Sequence, residues 1–449
     1  MARLSDMTEG SPAGLLLRFA IPAVIGNMVE QLYMVADRII VGRYVGAQAF
    51  SAIGSTSALI YVFMAVCVGL ENGTGVVVAQ HYGAGNGEHV ASAIRNGLLT
   101  ALGSAVFMSF LSLILAAPIL RLLGTPEDLL SDAASYMMIY LAGLPAIAVC
   151  FTSFHILRAL GNSRIPMVFL VVSSVMNVFL DMLFIIWFRM GVAGAALATV
   201  LSQTTAAVLC VIYAYRKIPY FKDAVKKAGF DSSILGQIIR LALPSGGQYA
   251  LTYVSGSVLQ SVVNGFGLAA IGAFTATNQV DSLIRHIYLG IGSAVSAYTG
   301  QNIGAGKQDR VRLGMNASMK ILAVISVILF GVFWLVGRPI MSLFVTDESI
   351  VEMASAGIRI TSLFYMGLGV KEVLHYLLSG AGDAVYPMIG GVVEVVCRVG
   401  LAFLLTGTKA IGVWGIWMTT GLVWLIAALL ALWRYRSGAW KDKALVQGH

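Results

Sequence analysis

Apolar residues run along this chain in long blocks. They show neither the strict alternation of half-buried strands nor the one-sided stripe of surface helices. Twelve blocks approach or exceed roughly 20 residues, the length at which an α-helix crosses a bilayer. They cover 15–42, 52–79, 94–121, 132–157, 166–188, 192–215, 236–264, 271–299, 314–337, 351–378, 387–407 and 411–434. The pattern predicts an all-α polytopic membrane protein of twelve transmembrane helices. The longer blocks are expected to tilt or to project beyond the lipid.

Composition agrees. Of 449 residues, 58% are hydrophobic and 11% charged, against about 25% charged in soluble domains. The mean hydropathy is +0.84. One soluble core could not hide so much apolar surface. The opening residues are polar (Arg3, Asp6, Glu9) and lack a small-residue cleavage site, so the first span itself is expected to drive insertion. The net charge of +8 is explained by topology, and no nucleic-acid partner is expected. With both termini cytoplasmic, nineteen of the 29 basic residues fall on the inner face. The outer loops keep Arg43, Arg121, Arg189, Arg338 and Lys409. That bias predicts inward termini.

The longest polar stretch, Arg216 to Ser233, carries five basic residues and is expected to lie against anionic headgroups as a cytoplasmic linker, 216–235. It separates an N-terminal six-helix lobe, 1–215, from a C-terminal one, 236–449. The two halves match at an offset of 221 residues, or 222 in the first span, where Arg18, Ala20 and Pro22 answer Arg240, Ala242 and Pro244. QHYGAGNGEHV at 80–90 answers QNIGAGKQDRV at 301–311; Gly161, Pro166 and Met167 answer Gly382, Pro387 and Met388. A duplicated unit of six spans keeps its topology, so the two bundles are expected to be related by a pseudo-two-fold along the membrane normal, with the substrate route between them.

The paired GAG loops, the segment QLYMVADRIIVG at 31–42, the segment NVFLDMLFI at 177–185 and the Gly-Val-x-Gly starts of the sixth and twelfth spans resemble the multidrug and toxic compound extrusion (MATE) family. The resemblance covers nearly the whole chain. It implies an antiporter that expels organic, often cationic, drugs as Na+ or H+ flows inward. It implies a cation site at Asp37, Asn177, Asp181 and Thr199, which would hold a metal ion only under Na+ coupling. An acidic residue that some members carry in the seventh span is absent from 236–264.

The charges support this independently. A carboxylate at the bilayer centre costs at least ~2.5–3.5 kcal/mol, so each must be paired, protonated or wet. Asp281 precedes Arg285 by four residues, and Glu394 precedes Arg398 by four. Both are expected to pair along their own helices; with Glu372, Asp281 and Glu394 are also candidates for a drug-facing, relay or gating role. The pairing of Glu372 is open, with Lys371 expected to point elsewhere. Asp37 and Asp181 have no base three or four positions away, and a bound cation would supply the missing charge. Asn177 shares a face with Asp181, and Thr199 adds a hydroxyl. The matching positions Leu259, Arg398 and Ala402 carry no such set.

Glu30, two turns from Asp37, is a candidate relay, and Glu71 is expected in an inner vestibule. Tyr136 and Tyr140 are candidates to stack on cationic drugs. Pro145 is a candidate kink in the fourth span. The four cysteines and six histidines, His449 among them, lack metal spacing. The GAG loops lack the Gly-Lys-Ser/Thr that a phosphate loop needs. No cofactor is expected beyond the coupling ion, and no nucleophile–base pair suggests an enzyme. The alternative function is flipping lipid-linked saccharides. A monomer suffices for this architecture, and a bacterial inner membrane is the expected location.

Overall fold

The computed structural model describes residues 4–122 and 125–446, without the side chains of 47–52, 55 and 57–59. Arg3 and His449 lie outside it. The described residues are helical throughout, with no strand. The first lobe contains α1 (Pro12–Tyr44), α2 (Ala47–Gly83), α3 (Gly87–Leu122), α4 (Glu127–Ala142), α5 (Leu144–Ala159), α6 (Arg164–Asp181) and α7 (Gly191–Lys217). The short α8 (Pro219–Lys226) follows. The second lobe contains α9 (Ser232–Asn264), α10 (Leu268–Gly304), α11 (Gln308–Met341), α12 (Glu348–Ser362), α13 (Tyr365–Gly380), α14 (Val385–Gly407) and α15 (Gly415–Ser437).

Twelve spans emerge when α4 with α5, and α12 with α13, are each taken as one bent span. The bends are 49° and 53°. The first break falls at Gly143, with Pro145 in the opening turn of α5. The second, at Leu363–Phe364, has no proline. It shows that the bend belongs to the repeated architecture and not to proline alone. Eight single helices are long and apolar enough to cross a bilayer on their own. The long helices α9 and α10 are not among them, because they carry the polar wall between the lobes. In α8, Phe221 and Ala224 are buried while Lys222 and Lys226 face out, which leaves one side of the short helix basic. Asp231 caps α9 by accepting from the Ser233 and Ile234 amides.

The lobes meet through α1 and α2 on one side and α9 and α10 on the other. Contact is tight at the end that carries the two GAG loops. A Cβ on Gly83 would overlap the Gln301 carbonyl, and one on Gly304 would overlap the Gln80 carbonyl. Gly85 and Gly306, at φ 72° and 71°, end α2 and α10 in the left-handed region that glycine adopts without cost. These two demands, close packing and positive φ, account for the repeated motif.

The chain's terminal segments complete this closed end. The Met7 amide donates to Gln301 Oε1 at 2.8 Å, and Gln301 Nε2 donates to the Ala159 carbonyl of the first lobe at 2.8 Å. In mirror fashion the Leu445 amide donates to Gln80 Oε1 at 2.8 Å, and Gln80 Nε2 reaches the Gly380 carbonyl of the second lobe at 2.9 Å. At the opposite end α9 buries Ser255, Leu259 and Val263 toward its own lobe and leaves Val254, Ser257 and Ser261 exposed. The lobes part there.

Candidate cation site and central cavity

Between the lobes lies a cavity of about 660 Å³, lined by α1, α2, α9 and α10 with contributions from α4, α5, α7 and α13–α15. Its wall is aromatic and polar. Tyr61 of α2 stacks on Tyr253 of α9 with centroids 3.7 Å apart, and Tyr249 lies beside Tyr253 with the two hydroxyls 3.2 Å apart. Tyr140 and Phe151 add aromatic surface. Such faces accept flat organic cations.

In the first lobe α1, α6 and α7 bring Asp37, Asn177, Asp181 and Thr199 together. Asn177 and Asp181 are buried, and Asp37 is half-buried. The Asp37 and Asp181 carboxyls are within hydrogen-bonding reach of each other. Each keeps one buried oxygen, Oδ1, without a hydrogen-bond partner among the described residues. The Asn177 amide suits its neighbours when its nitrogen faces Asp181 Oδ2 at 3.2 Å and its oxygen takes the Thr199 N–H at 3.3 Å. Two carboxylates with free oxygens, an amide oxygen and a hydroxyl form a hard-donor set. Directly after Asp181 the helix widens into a π-helical segment, Met182–Trp187. π-Turns of this kind often mark functional sites. Thr199 also lines the central cavity, so the carboxylate pair and the cavity share a wall.

The other predicted residues divide. Glu30, Tyr140, Asp281 and Glu394 line the cavity. Tyr136 does not: it is buried, stacked on Tyr140 at 6.1 Å. Glu71 does not line an open vestibule either. It is buried with Oε2 3.7 Å from His155 Nε2, where the closed lobes seal that end. Glu372 sits behind the cavity wall.

The charge pairs expected along single helices in the second lobe do not form. Lys371 Nζ instead bridges Glu372 Oε1 at 3.2 Å and Glu394 Oε1 at 3.0 Å. Arg285 Nε holds Glu372 Oε1 at 3.0 Å. Asp281 accepts from Tyr365 at 2.8 Å and Thr361 at 3.3 Å, and Arg398 Nε donates to Ser255 at 2.6 Å. Packing of α10, α13 and α14 places nearer partners across helices than the next turn offers. The i,i+4 rule counts only one helix.

Because Lys371 is buried between two acids, Lys371→Met leaves Glu394 without its bridge. A loss of about 3 kcal/mol is expected, read as a lower midpoint in detergent unfolding. Adding Glu394→Leu is expected to recover much of it.

The residues missed from sequence include Tyr61, Tyr249, Tyr253 and the bridging role of Lys371. The four-residue spacing of Tyr249 and Tyr253 was the available signal. Among the described residues no group of three or more His, Cys, Asp or Glu could hold a metal ion.

A twelve-span protein in two six-helix bundles, with a cavity at their junction, has the architecture of a membrane transporter. The MatE family pattern matches twice, at residues 22–183 and 244–404, once in each repeat, and the chain belongs to that family. It is 29% identical over 443 residues to the probable multidrug resistance protein YpnP of Bacillus subtilis, covering 98% of both chains. It is 25% identical to the multidrug export protein MepA of Staphylococcus aureus, covering 92% of both. The fold matches a solved multidrug resistance MATE transporter in an outward-facing conformation at TM-score 0.93 and 24% identity, over 98% of this chain and 99% of that one. These relatives do not favour the lipid-saccharide flippase.

Proposed function

We propose that this chain is a secondary antiporter that exports organic cations in exchange for inward Na+ or H+. The observation that carries the reading is the carboxylate pair. Asp37 and Asp181 lie within reach of each other, and among the described residues no side chain satisfies the buried Oδ1 of either and no base forms an ion pair with either. A buried acid pair of this kind is completed by a cation: Na+ on the oxygens, or a proton shared between them. Thr199 links the pair to the cavity in which the drug would stand. The duplication supports one such site per chain, since Leu259, Arg398 and Ala402 replace Asp37, Asn177 and Asp181 in the second lobe.

In this reading residues 1–215 and 236–449 rock about the central cavity, with 216–235 as the cytoplasmic linker. With the basic loops on the cytoplasmic side, the tightly closed GAG end would face the cytoplasm and the cavity would open outward. A bacterial inner membrane fits the bacterial relatives. A monomer suffices, because one chain encloses the whole cavity. The basic face of α8 would rest on anionic lipid.

The test is ethidium transport by protein in liposomes, with Na+ and pH gradients imposed separately. Uphill movement under Na+ alone identifies a sodium cage. Movement under pH alone identifies a proton-sharing pair. Movement under neither sinks ion-coupled export of this dye.

A further inference from the structure

We propose that Glu71 and His155 form a second proton-binding site, inside the end of the first lobe that carries the closed gate, and that one proton held there keeps this end shut. This rests on the rocking reading of the cycle and is independent of the ion held at Asp37 and Asp181.

The position follows from how α2 packs. A Cβ on Gly69 would overlap the Ala242 carbonyl of α9, and one on Gly73 the Ile238 carbonyl. These two glycines therefore press one face of α2 against the second lobe. Glu71, midway between them, points to the other face, toward α5 of its own lobe. It is 4% exposed. Its Oε1 is enclosed with no hydrogen-bond partner among the described residues. Its Oε2 lies 3.7 Å from His155 Nε2.

The charges around the pair do not balance. Arg158, one turn beyond His155, is in electrostatic contact with both Glu71 and Glu30 of α1. It forms a direct ion pair with neither among the described residues, and its Nε is enclosed without a hydrogen-bond partner. The other titratable groups that face Glu71 are Cys67 of α2, Cys150 of α5, Tyr249 of α9 and Tyr376 of α13. Thiols and phenols are neutral at ordinary pH. Two carboxylates thus share one guanidinium, and with His155 neutral the group carries one net negative charge. One proton on the Glu71–His155 pair cancels it. That proton belongs to the pair as a unit.

The pair also lies between two wet regions. Glu30 lines the central cavity. On the other side His155 and Arg158 line a chamber of about 30 Å³, closed by Ser293, Ser296 and Tyr376 of the second lobe. A polar chamber of this size accommodates a water or two. When the lobes part here, its second-lobe wall withdraws and bulk water reaches His155. A proton can enter by way of Glu30 while this end is closed and leave through the chamber when it opens. It then moves inward, in the direction of the coupling ion.

The sign of the pH effect follows. An uncompensated negative charge costs more when enclosed than when wet, so the closed state binds the proton more tightly than the open one. Raising the pH strips the proton and favours opening.

Pulsed EPR distances between spin labels at Glu88 and Gln308 test this, on the full chain in nanodiscs titrated through neutrality. Asp37→Asn and Asp181→Asn are present throughout, so the cation pair contributes no titration and its own reading is judged separately by transport. The ratio of long to short distances is expected to rise with pH, by up to about 10-fold per pH unit for one linked proton. Glu71→Gln, which keeps the shape of the neutral acid, is expected to abolish that rise. Arg158→Gln removes the cation that both acids share, so the transition is expected at higher pH. A ratio indifferent to pH, or a rise that survives Glu71→Gln, overturns the site and leaves the rocking reading intact. If no long distance appears at any pH, even with Gly304→Leu, the rocking reading fails and the proposal with it. Should Glu71→Gln not fold, Arg158→Gln decides, and an unmoved transition overturns the proposal.

Discussion

The Asp37→Asn protein is expected to fold, to bind dye and to fail at uphill transport. Asparagine matches the shape of aspartate and is neutral, so burying it beside Asp181 costs less than burying a second carboxylate. What disappears is the second charge of the pair. Moving one elementary charge through about 100 mV supplies ~2.3 kcal/mol, so loss of one coupled charge removes roughly 50-fold in the dye gradient the protein can sustain. The measurement is steady-state ethidium accumulation in liposomes under the coupling gradient, with gel filtration as the control for folding. Asp181→Asn is expected to act in the same direction, since each carboxylate lies within reach of the other. Full accumulation by either variant would place ion coupling elsewhere.

The second large effect is expected at the GAG loops. Gly304→Leu inserts a side chain where even a Cβ overlaps the Gln80 carbonyl, and Gly83→Leu does the same against Gln301. The obstacle is backbone on an opposing helix, so it cannot rotate away. Overpacking of this kind costs about 1–3 kcal/mol. Two conformations of a transporter differ by only a few kcal/mol. The variant is therefore expected to populate the state in which this end is open, by about 10-fold or more over wild type. Spin labels at the exposed Glu88 and Gln308 report it as a longer interlabel distance, together with loss of efflux. An unchanged distance would mean that the closed end yields elsewhere.

Much of this architecture was written in the apolar blocks. A bilayer demands long uninterrupted apolar helices, so span existence is legible, and all twelve blocks lie within or closely overlap the observed spans. The carboxylate site was legible for a related reason. Asn177 and Asp181 share one helix face by spacing alone, and an acid without a nearby base is conspicuous in an apolar run. The second-lobe network was not legible. Lys371 finds Glu394 only because α13 and α14 pack side by side, and no one-dimensional spacing encodes that neighbour. The bend between α12 and α13 was missed because it lacks the proline that drew attention to Pro145. The π-helical turn after Asp181 gives no signal in hydropathy, since it exchanges one hydrogen-bond register for another without changing which residues are apolar.

The mirrored bonds of Gln80 and Gln301 have a consequence for the ends of the polypeptide. Each tail springs from one lobe and is tied by its backbone to a glutamine of the other: Met7 to Gln301, Leu445 to Gln80. Asn302, Lys307 and Arg310 add bonds to the Met7, Thr8 and Gly10 carbonyls. Every opening of this end must release both tails, and every closure must recapture them. In the rocking cycle proposed above, the segments around Met7 and Leu445 would therefore be moving parts of the gate, and a fusion or truncation there is expected to change the rate of transport.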